Sequence, residues 1–184
     1  MKKILGIVGS PRKDGNTQIL VSKILEGAQN AGALTEDLSL SNLKIGECIG
    51  CNLCWKSGTC QQDDDMKPLY PKIAGFDCLV FGTPLYWYGP TALMKAFLDR
   101  FYYYCGGKQQ GLLKGKEAVL AVVYEETDPH AADATREMFQ RSFDYLGMNF
   151  RHRLIVPGVG AKGDIWKKTK RIEEAYSIGQ SLAG

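Results

Sequence analysis

The sequence predicts a doubly wound α/β domain, one parallel sheet covered by helices on both faces. Three observations carry that expectation. Short apolar runs alternate with segments of helical period along most of the chain, and no internal repeat or long polar linker divides it. The composition, 45% hydrophobic and 23% charged over 184 residues, is that of a globular protein long enough to bury a full core without disulfides. One domain over residues 1–184 is expected, with a cysteine-rich insertion at about 41–66.

The elements follow in chain order. Residues 4–8 form a short apolar run closed by Gly9-Ser10-Pro11, as a buried strand requires. A helix is predicted over 17–31, with Ile19, Leu20, Lys23, Ile24, Gly27 and Ala28 on one stripe and Gly32 as its stop. Residues 34–40 alternate apolar and polar like a half-buried strand. From 41 to 66 neither period persists, and a loop of that length inside a domain is usually functional. Asp65 is placed to cap a short helix beginning near Pro68.

Residues 76–83 read as the third strand, and 90–104 as a helix whose Leu93, Met94, Phe97, Leu98 and Phe101 recur at core spacing. A fourth strand is expected over 117–124, a helix over 131–146 stopped by Gly147, a fifth strand over 150–156, and a last helix over 164–182. In that last helix the basic cluster Lys167 to Arg171 forms the wet face opposite Ile165, Trp166, Ile172, Tyr176 and Ile178.

Several function classes are excluded at this level. The net charge of +3 is spread along the chain, so no nucleic-acid footprint is legible. No apolar stretch approaches the roughly 20 residues of a membrane span. The run after Met1-Lys2-Lys3 is too short for a signal sequence, so a cytoplasmic protein is expected.

In such sheets, ligands bind beyond the carboxyl ends of the strands. After the first strand, Gly9-Ser10-Pro11-Arg12-Lys13-Asp14-Gly15-Asn16-Thr17 leads into a helix and suits an anion, because hydroxyls, backbone N–H groups and the helix dipole can converge there. The spacing is neither a P-loop nor a dinucleotide fingerprint, and a terminal monophosphate fits better. A plain turn with Asn16 as N-cap is the alternative. After the third strand, Thr83-Pro84-Leu85-Tyr86-Trp87-Tyr88-Gly89-Pro90 offers stiffened aromatics to a flat heterocycle or to an oligomer interface.

Four of the six cysteines, Cys48, Cys51, Cys54 and Cys60, fall in one short window, a pattern for metal binding or redox chemistry in a reducing compartment. Cys78 and Cys105 sit in strand and helix patterns and are read as packing thiols. His130 and His152 have no neighbouring ligand at a convincing spacing, Glu125, Glu126 and Asp128 read as solvated, and no residue is assigned as catalytic.

Gly9-Ser10-Pro11-Arg12 with Gly15-Asn16-Thr17, and Thr83-Pro84-Leu85-Tyr86 with Gly89, resemble the flavodoxin-like NADPH-dependent FMN reductase superfamily. The motif-bearing resemblance covers about the first 100 residues. It implies a three-layer fold with a five-stranded parallel sheet in the order 2-1-3-4-5. It also implies that Ser10, Arg12, Asn16 and Thr17 bind the FMN phosphate while Pro84, Leu85, Tyr86, Trp87, Tyr88 and Gly89 border the flavin ring. The family's third flavin-side loop is often glycine-rich, whereas this chain has Tyr124-Glu125-Glu126-Thr127-Asp128 there, and no contact is assigned to it.

The cysteine quartet followed by Asp63-Asp64-Asp65-Met66 resembles the iron-sulfur flavoprotein branch, whose members hold a [4Fe-4S] cluster on such a quartet. Tight spacing of this kind suits a cluster better than the two separated knuckles usual for zinc. Empty thiols and zinc remain the alternatives. The resemblance implies an FMN-dependent oxidoreductase that takes electrons from NAD(P)H and passes them to another acceptor, assembled as a homodimer or homotetramer. An electron carrier without a pyridine nucleotide site and a flavin-free zinc module are the competing readings.

Overall fold

Strands inside a parallel sheet are buried on both faces, so they read as unbroken apolar runs, while edge strands alternate. The computed structural model, which describes residues 1–184, follows that rule. The central strands are β1 (Lys3–Val8), β3 (Cys78–Pro84) and β4 (Glu117–Val123), each buried along nearly its whole length. The edges are β2 (Leu34–Ser39), whose positions are all exposed or half-buried, and β5 (Asn149–Val156), where buried and exposed positions are mixed. All neighbours pair in parallel in the order β2-β1-β3-β4-β5, as the resemblance implied.

Six helices connect and cover the strands: α1 (Asn16–Asn30), α2 (Leu53–Ser57), α3 (Leu69–Ala74), α4 (Ala92–Asp99), α5 (Asp133–Leu146) and α6 (Thr169–Leu182). Alternation along β1 sends Ile4 and Val8 to one face and Leu5 and Ile7 to the other, and each face has its own core. On the first face α1 and α6 supply Leu20, Ile24, Ala28, Ala175, Ile178 and Leu182. Those two helices cross with backbones nearly touching. A Cβ added at Gly179 would lie 1.9 Å from the Ile24 carbonyl oxygen, and one at Gly27 2.0 Å from that of Tyr176. On the second face α3, α4 and α5 bring an aromatic-rich layer in which Phe81 packs on Phe143 with ring centroids 5.0 Å apart.

Two predicted helices are shorter than their patterns. The segment expected as one helix over 90–104 is α4 followed by a 3₁₀ turn, Arg100–Cys105. Part of the reason lies in the tertiary structure, because the carbonyl of Tyr102 accepts the Trp55 indole N–H at 2.9 Å, Gly106 then packs against that indole and Gly107 against the Trp55 backbone. Similarly, 164–167 is a 3₁₀ turn ahead of α6. Asp65 does not cap α3, since its carboxylate accepts the Lys44 N–H at 2.6 Å and Pro68 occupies the cap position. No helix is long and apolar enough to cross a membrane.

Candidate functional site

Strand order reverses at β1, whose neighbours β2 and β3 lead their connections to opposite sides. The loops leaving β1 and β3 therefore part and leave a crevice. Thr91 joins the two loops: it caps α4 by accepting the Met94 N–H at 3.2 Å, and its hydroxyl donates to the Gly9 carbonyl at 2.5 Å. That contact fastens the first loop to the third.

The resulting cleft, about 130 Å³, is lined by Ser10, Arg12, Asn16, Thr17, Pro84, Leu85 and Tyr86, all singled out from the sequence. A neighbouring cleft of about 260 Å³ takes in Trp87 and Tyr88 and shares Leu85, Tyr124 and Glu125 with the first. Gly89 lines neither; it closes the turn by exchanging backbone hydrogen bonds with Tyr86 at 2.8 and 3.0 Å. Val123, Tyr124, Glu125, Val159 and Gly160 complete the first cleft without having been assigned from the sequence. The topological rule points to the end of the fourth strand, but Val159 and Gly160 follow the fifth and carry no signal beyond their place in a glycine-containing turn.

At the α1 end of the cleft, the helix begins without a side-chain cap and without an acidic residue in its first turn, Gly15 being the N-cap. Its leading N–H groups have no intrahelical acceptors, and the dipole adds positive potential there. Ser10 is buried and accepts the Arg12 N–H at 3.2 Å, which leaves its own O–H free to donate. The Asn16 side chain, however, is already engaged. Its Nδ2 donates to the Ala161 carbonyl at 2.8 Å, and its Oδ1 accepts the N–H groups of Gly163 at 2.9 Å and Ile165 at 3.3 Å. Asn16 is neither the N-cap nor a free amide; it binds the β5–α6 loop and leaves its backbone N–H for a ligand. Arg12 makes the matching bridge above it, Nη1 donating to the Gly160 carbonyl at 3.0 Å.

At the aromatic end, Trp87 is 97% exposed, and both Trp87 and Tyr88 have left-handed backbones, with φ of 49° and 61°. Such conformations cost about 1 to 3 kcal/mol each for residues with side chains and persist only where neighbours enforce them. Here the Tyr86–Gly89 bridge and a hydrogen bond from Thr135 Oγ1 to the Tyr88 carbonyl at 2.8 Å do so. The turn thus presents its rings outward on a stiff base. Burial, together with the carboxylates of Asp128, Glu126 and Asp133, pushes the Tyr124 hydroxyl up from its ordinary pKa, so it stays neutral at the cleft wall.

The cysteine loop docks beside the 3₁₀ turn. Asn52 and Gly58 flank α2 in left-handed conformations, with φ of 60° and 83°. Tyr102 O–H donates to Asn52 Oδ1 at 2.7 Å, Tyr103 O–H to the Gly58 carbonyl at 2.9 Å, and the Trp55 ring lies 4.4 Å from that of Tyr102. Cys54 is buried, and burial, then Cys60, with smaller effects from Cys48 and Cys51, pushes its thiol up. No three His, Cys, Asp or Glu side chains stand close enough to hold a single metal ion. The ligands of a cubane stand farther apart than those of one ion, because each binds a different iron, and four thiols on one glycine-bearing loop are the donor set it takes. Cys78 lies apart, its thiol pushed up to about 12 by burial and then Glu117, which suits packing rather than chemistry.

Arg100 lies beneath this loop, 1% exposed. Burial pulls its pKa down, but hydrogen bonding to Asp64 and the proximity of Tyr70 outweigh that and keep it charged. In return, against the upward pull of burial, Arg100 holds the Asp64 carboxyl below the usual aspartate value.

Comparison with known proteins adds the following. The sequence model of the family described as NADPH-dependent FMN reductase matches residues 2–157. An iron-sulfur flavoprotein of Archaeoglobus fulgidus is 38% identical over 122 residues, covering 66% of this chain and 54% of that protein. An iron-sulfur flavoprotein of Methanocaldococcus jannaschii is 39% identical over 98 residues, covering 53% of this chain and 51% of that protein. The chain thus spans about half the length of the curated relatives it matches. Among solved structures, the NAD(P)H:quinone oxidoreductase of Methanothermobacter marburgensis superimposes with a TM-score of 0.75 at 19% identity, over 100% of this chain and 98% of that one, which establishes likeness of fold.

Proposed function

We propose, since the chain belongs to the NADPH-dependent FMN reductase family, that it is a single-domain FMN-dependent oxidoreductase linked to NAD(P)H, whose insertion at 41–66 carries a [4Fe-4S] cluster. The observation that carries the flavin reading is the uncapped start of α1, opening with Ser10, Arg12 and Thr17 into the crevice at the strand-order switch. A dianionic phosphate fits there because the donors are preformed and no protein carboxylate competes in the helix's first turn.

Ser10, Thr17, Arg12 and the Asn16 backbone would hold the phosphate. Pro84, Leu85 and Tyr86 would flank the ring, Val123, Tyr124 and Glu125 would form the opposite wall, and Trp87 and Tyr88 would shield the outer edge while Gly89 fixes their turn. When bound, FMN supplies two-electron chemistry, accepting hydride from NAD(P)H and yielding electrons singly or in pairs. The protein residues orient and shield, and none needs to act as nucleophile. Cys48, Cys51, Cys54 and Cys60 would ligate the cluster, a one-electron centre, in a cytoplasm that keeps thiols reduced. The exposed Tyr86, Trp87 and Tyr88 support assembly as a homodimer or homotetramer.

The test is an absorption spectrum with iron, sulfide and zinc analysis on anaerobically purified protein, followed by rapid mixing with NADPH or NADH under argon. Yellow protein with iron and sulfide, bleached rapidly by a pyridine nucleotide, is the expected result. Coloured protein that neither nucleotide bleaches would make it an electron carrier, and colourless protein with stoichiometric zinc would overturn the flavin reading.

A further inference from the structure

Arg100 is the one charged side chain of this chain that is fully buried, and each of its N–H donors is directed. Nε donates to the Tyr70 hydroxyl at 3.0 Å. Nη1 donates to the Gly46 carbonyl at 3.0 Å and to Asp64 Oδ2 at 2.5 Å. Nη2 donates to Asp64 Oδ1 at 3.2 Å and to Cys60 Sγ at 3.4 Å. Gly46 and Asp64 sit on either side of the quartet in sequence, so one guanidinium gathers both ends of the cysteine loop. The two-pronged pair with Asp64 would by itself neutralise the buried charge. The bond to the sulfur is additional, and it singles out Cys60 among the four cysteines.

We propose that Arg100 is the positioning residue of the redox centre, setting Cys60 in place and, through its N–H and charge, making a cluster on the quartet easier to reduce. This rests on the reading that the quartet carries a cluster. Reduction adds one electron, supplied by a reduced flavin, to a centre bonded to Cys60; no bond forms or breaks, and the centre gains one negative charge. A fixed cation and an N–H donor at the ligating sulfur stabilise the more negative form, and hydrogen bonds to cluster sulfurs are among the levers that set such potentials. Lysine could not replace the planar fork, which reaches four partners at once.

The experiment compares anaerobically prepared holoprotein of the wild type, Arg100→Gln and Asp64→Asn. Iron and sulfide are measured per chain, and the cluster midpoint potential is taken by EPR-monitored redox titration. Arg100→Gln is expected to lower the reduced-to-oxidised ratio at a fixed ambient potential at least tenfold, a shift of about 59 mV to more negative values for one electron. Asp64→Asn keeps the guanidinium and removes its counter-charge, so its potential should move the opposite way, to more positive values. A residue that only braced the loop would alter cluster content without producing shifts of opposite sign. Loaded Arg100→Gln with an unmoved potential overturns the proposal and leaves the cluster reading intact. Should Arg100→Gln fail to fold, Asp64→Asn decides: a positive shift supports the proposal, and no shift or a negative one overturns it. Wild type without iron and sulfide overturns the cluster reading itself, and this inference with it.

Discussion

Asn16 stands at a position where residue type announces chemistry while the fold decides which chemistry. A polar amide opening a helix beside Ser10 and Thr17 is legible as an anion-site residue, yet its side chain is occupied by Ala161, Gly163 and Ile165, residues more than a hundred positions away. Nothing local encodes those partners. Asn16→Ala should therefore act first on stability, costing about 2 to 4 kcal/mol, because the N–H groups of Gly163 and Ile165 lose their one acceptor and the Ala161 carbonyl keeps only the Asp164 N–H. Urea unfolding should show the loss without FMN present, and an unchanged midpoint would refute it. The same lesson holds for the aspartate run, where Asp65 had the right spacing for a cap but Asp64 and Asp65 serve Arg100 and Lys44 instead. Competing hydrogen-bond partners at short range look alike in sequence, and only the tertiary geometry selects among them.

The elements were legible where one physical requirement dominates their pattern. Strands β1, β3 and β4 are unbroken apolar runs because both of their faces are covered, and β2 and β5 are more polar and more exposed because they lie at edges. The helix over 90–104 was misjudged because apolar spacing does not distinguish an α-helix that continues from one that tightens into a 3₁₀ turn. In the structure the hydroxyls of Tyr102 and Tyr103 hold the cysteine loop. Gly27 and Gly179 were visible only as small residues within helices, and their reason is the crossing of α1 and α6. In an isolated helix Gly179→Ala would gain about 1 kcal/mol from propensity. Here its Cβ would lie 1.9 Å from the Ile24 carbonyl oxygen, and overpacking of about 1 to 3 kcal/mol or more should reverse the sign. Thermal unfolding decides the point, since a rise in Tm would show that the helices have room to separate.

At the scale of the whole molecule the cleft belongs to no single segment. Loops after β1, β3, β4 and β5 each contribute to its wall, and the bridges Arg12–Gly160 and Asn16–Ala161 tie the first of these loops to the last. A ligand that completes such a cleft should stabilise the entire fold. Under the proposed function, FMN at a hundred times its dissociation constant should add about 2.7 kcal/mol, seen as a concentration-dependent rise in Tm. Riboflavin, which lacks the phosphate, should raise it less at equal concentration, and equal shifts would place the phosphate away from α1. By itself the sequence determined the α/β class, the core strands, the two ligand-edge loops and the cysteine window, because hydrophobic period and turn chemistry are local and additive. The tertiary structure decided which amides and carboxylates were already taken, which loops closed the cleft, and that a buried guanidinium lies under the thiols. Those outcomes depend on pairings between distant residues, and a pairing acquires its energy only when the chain has brought both partners out of water together.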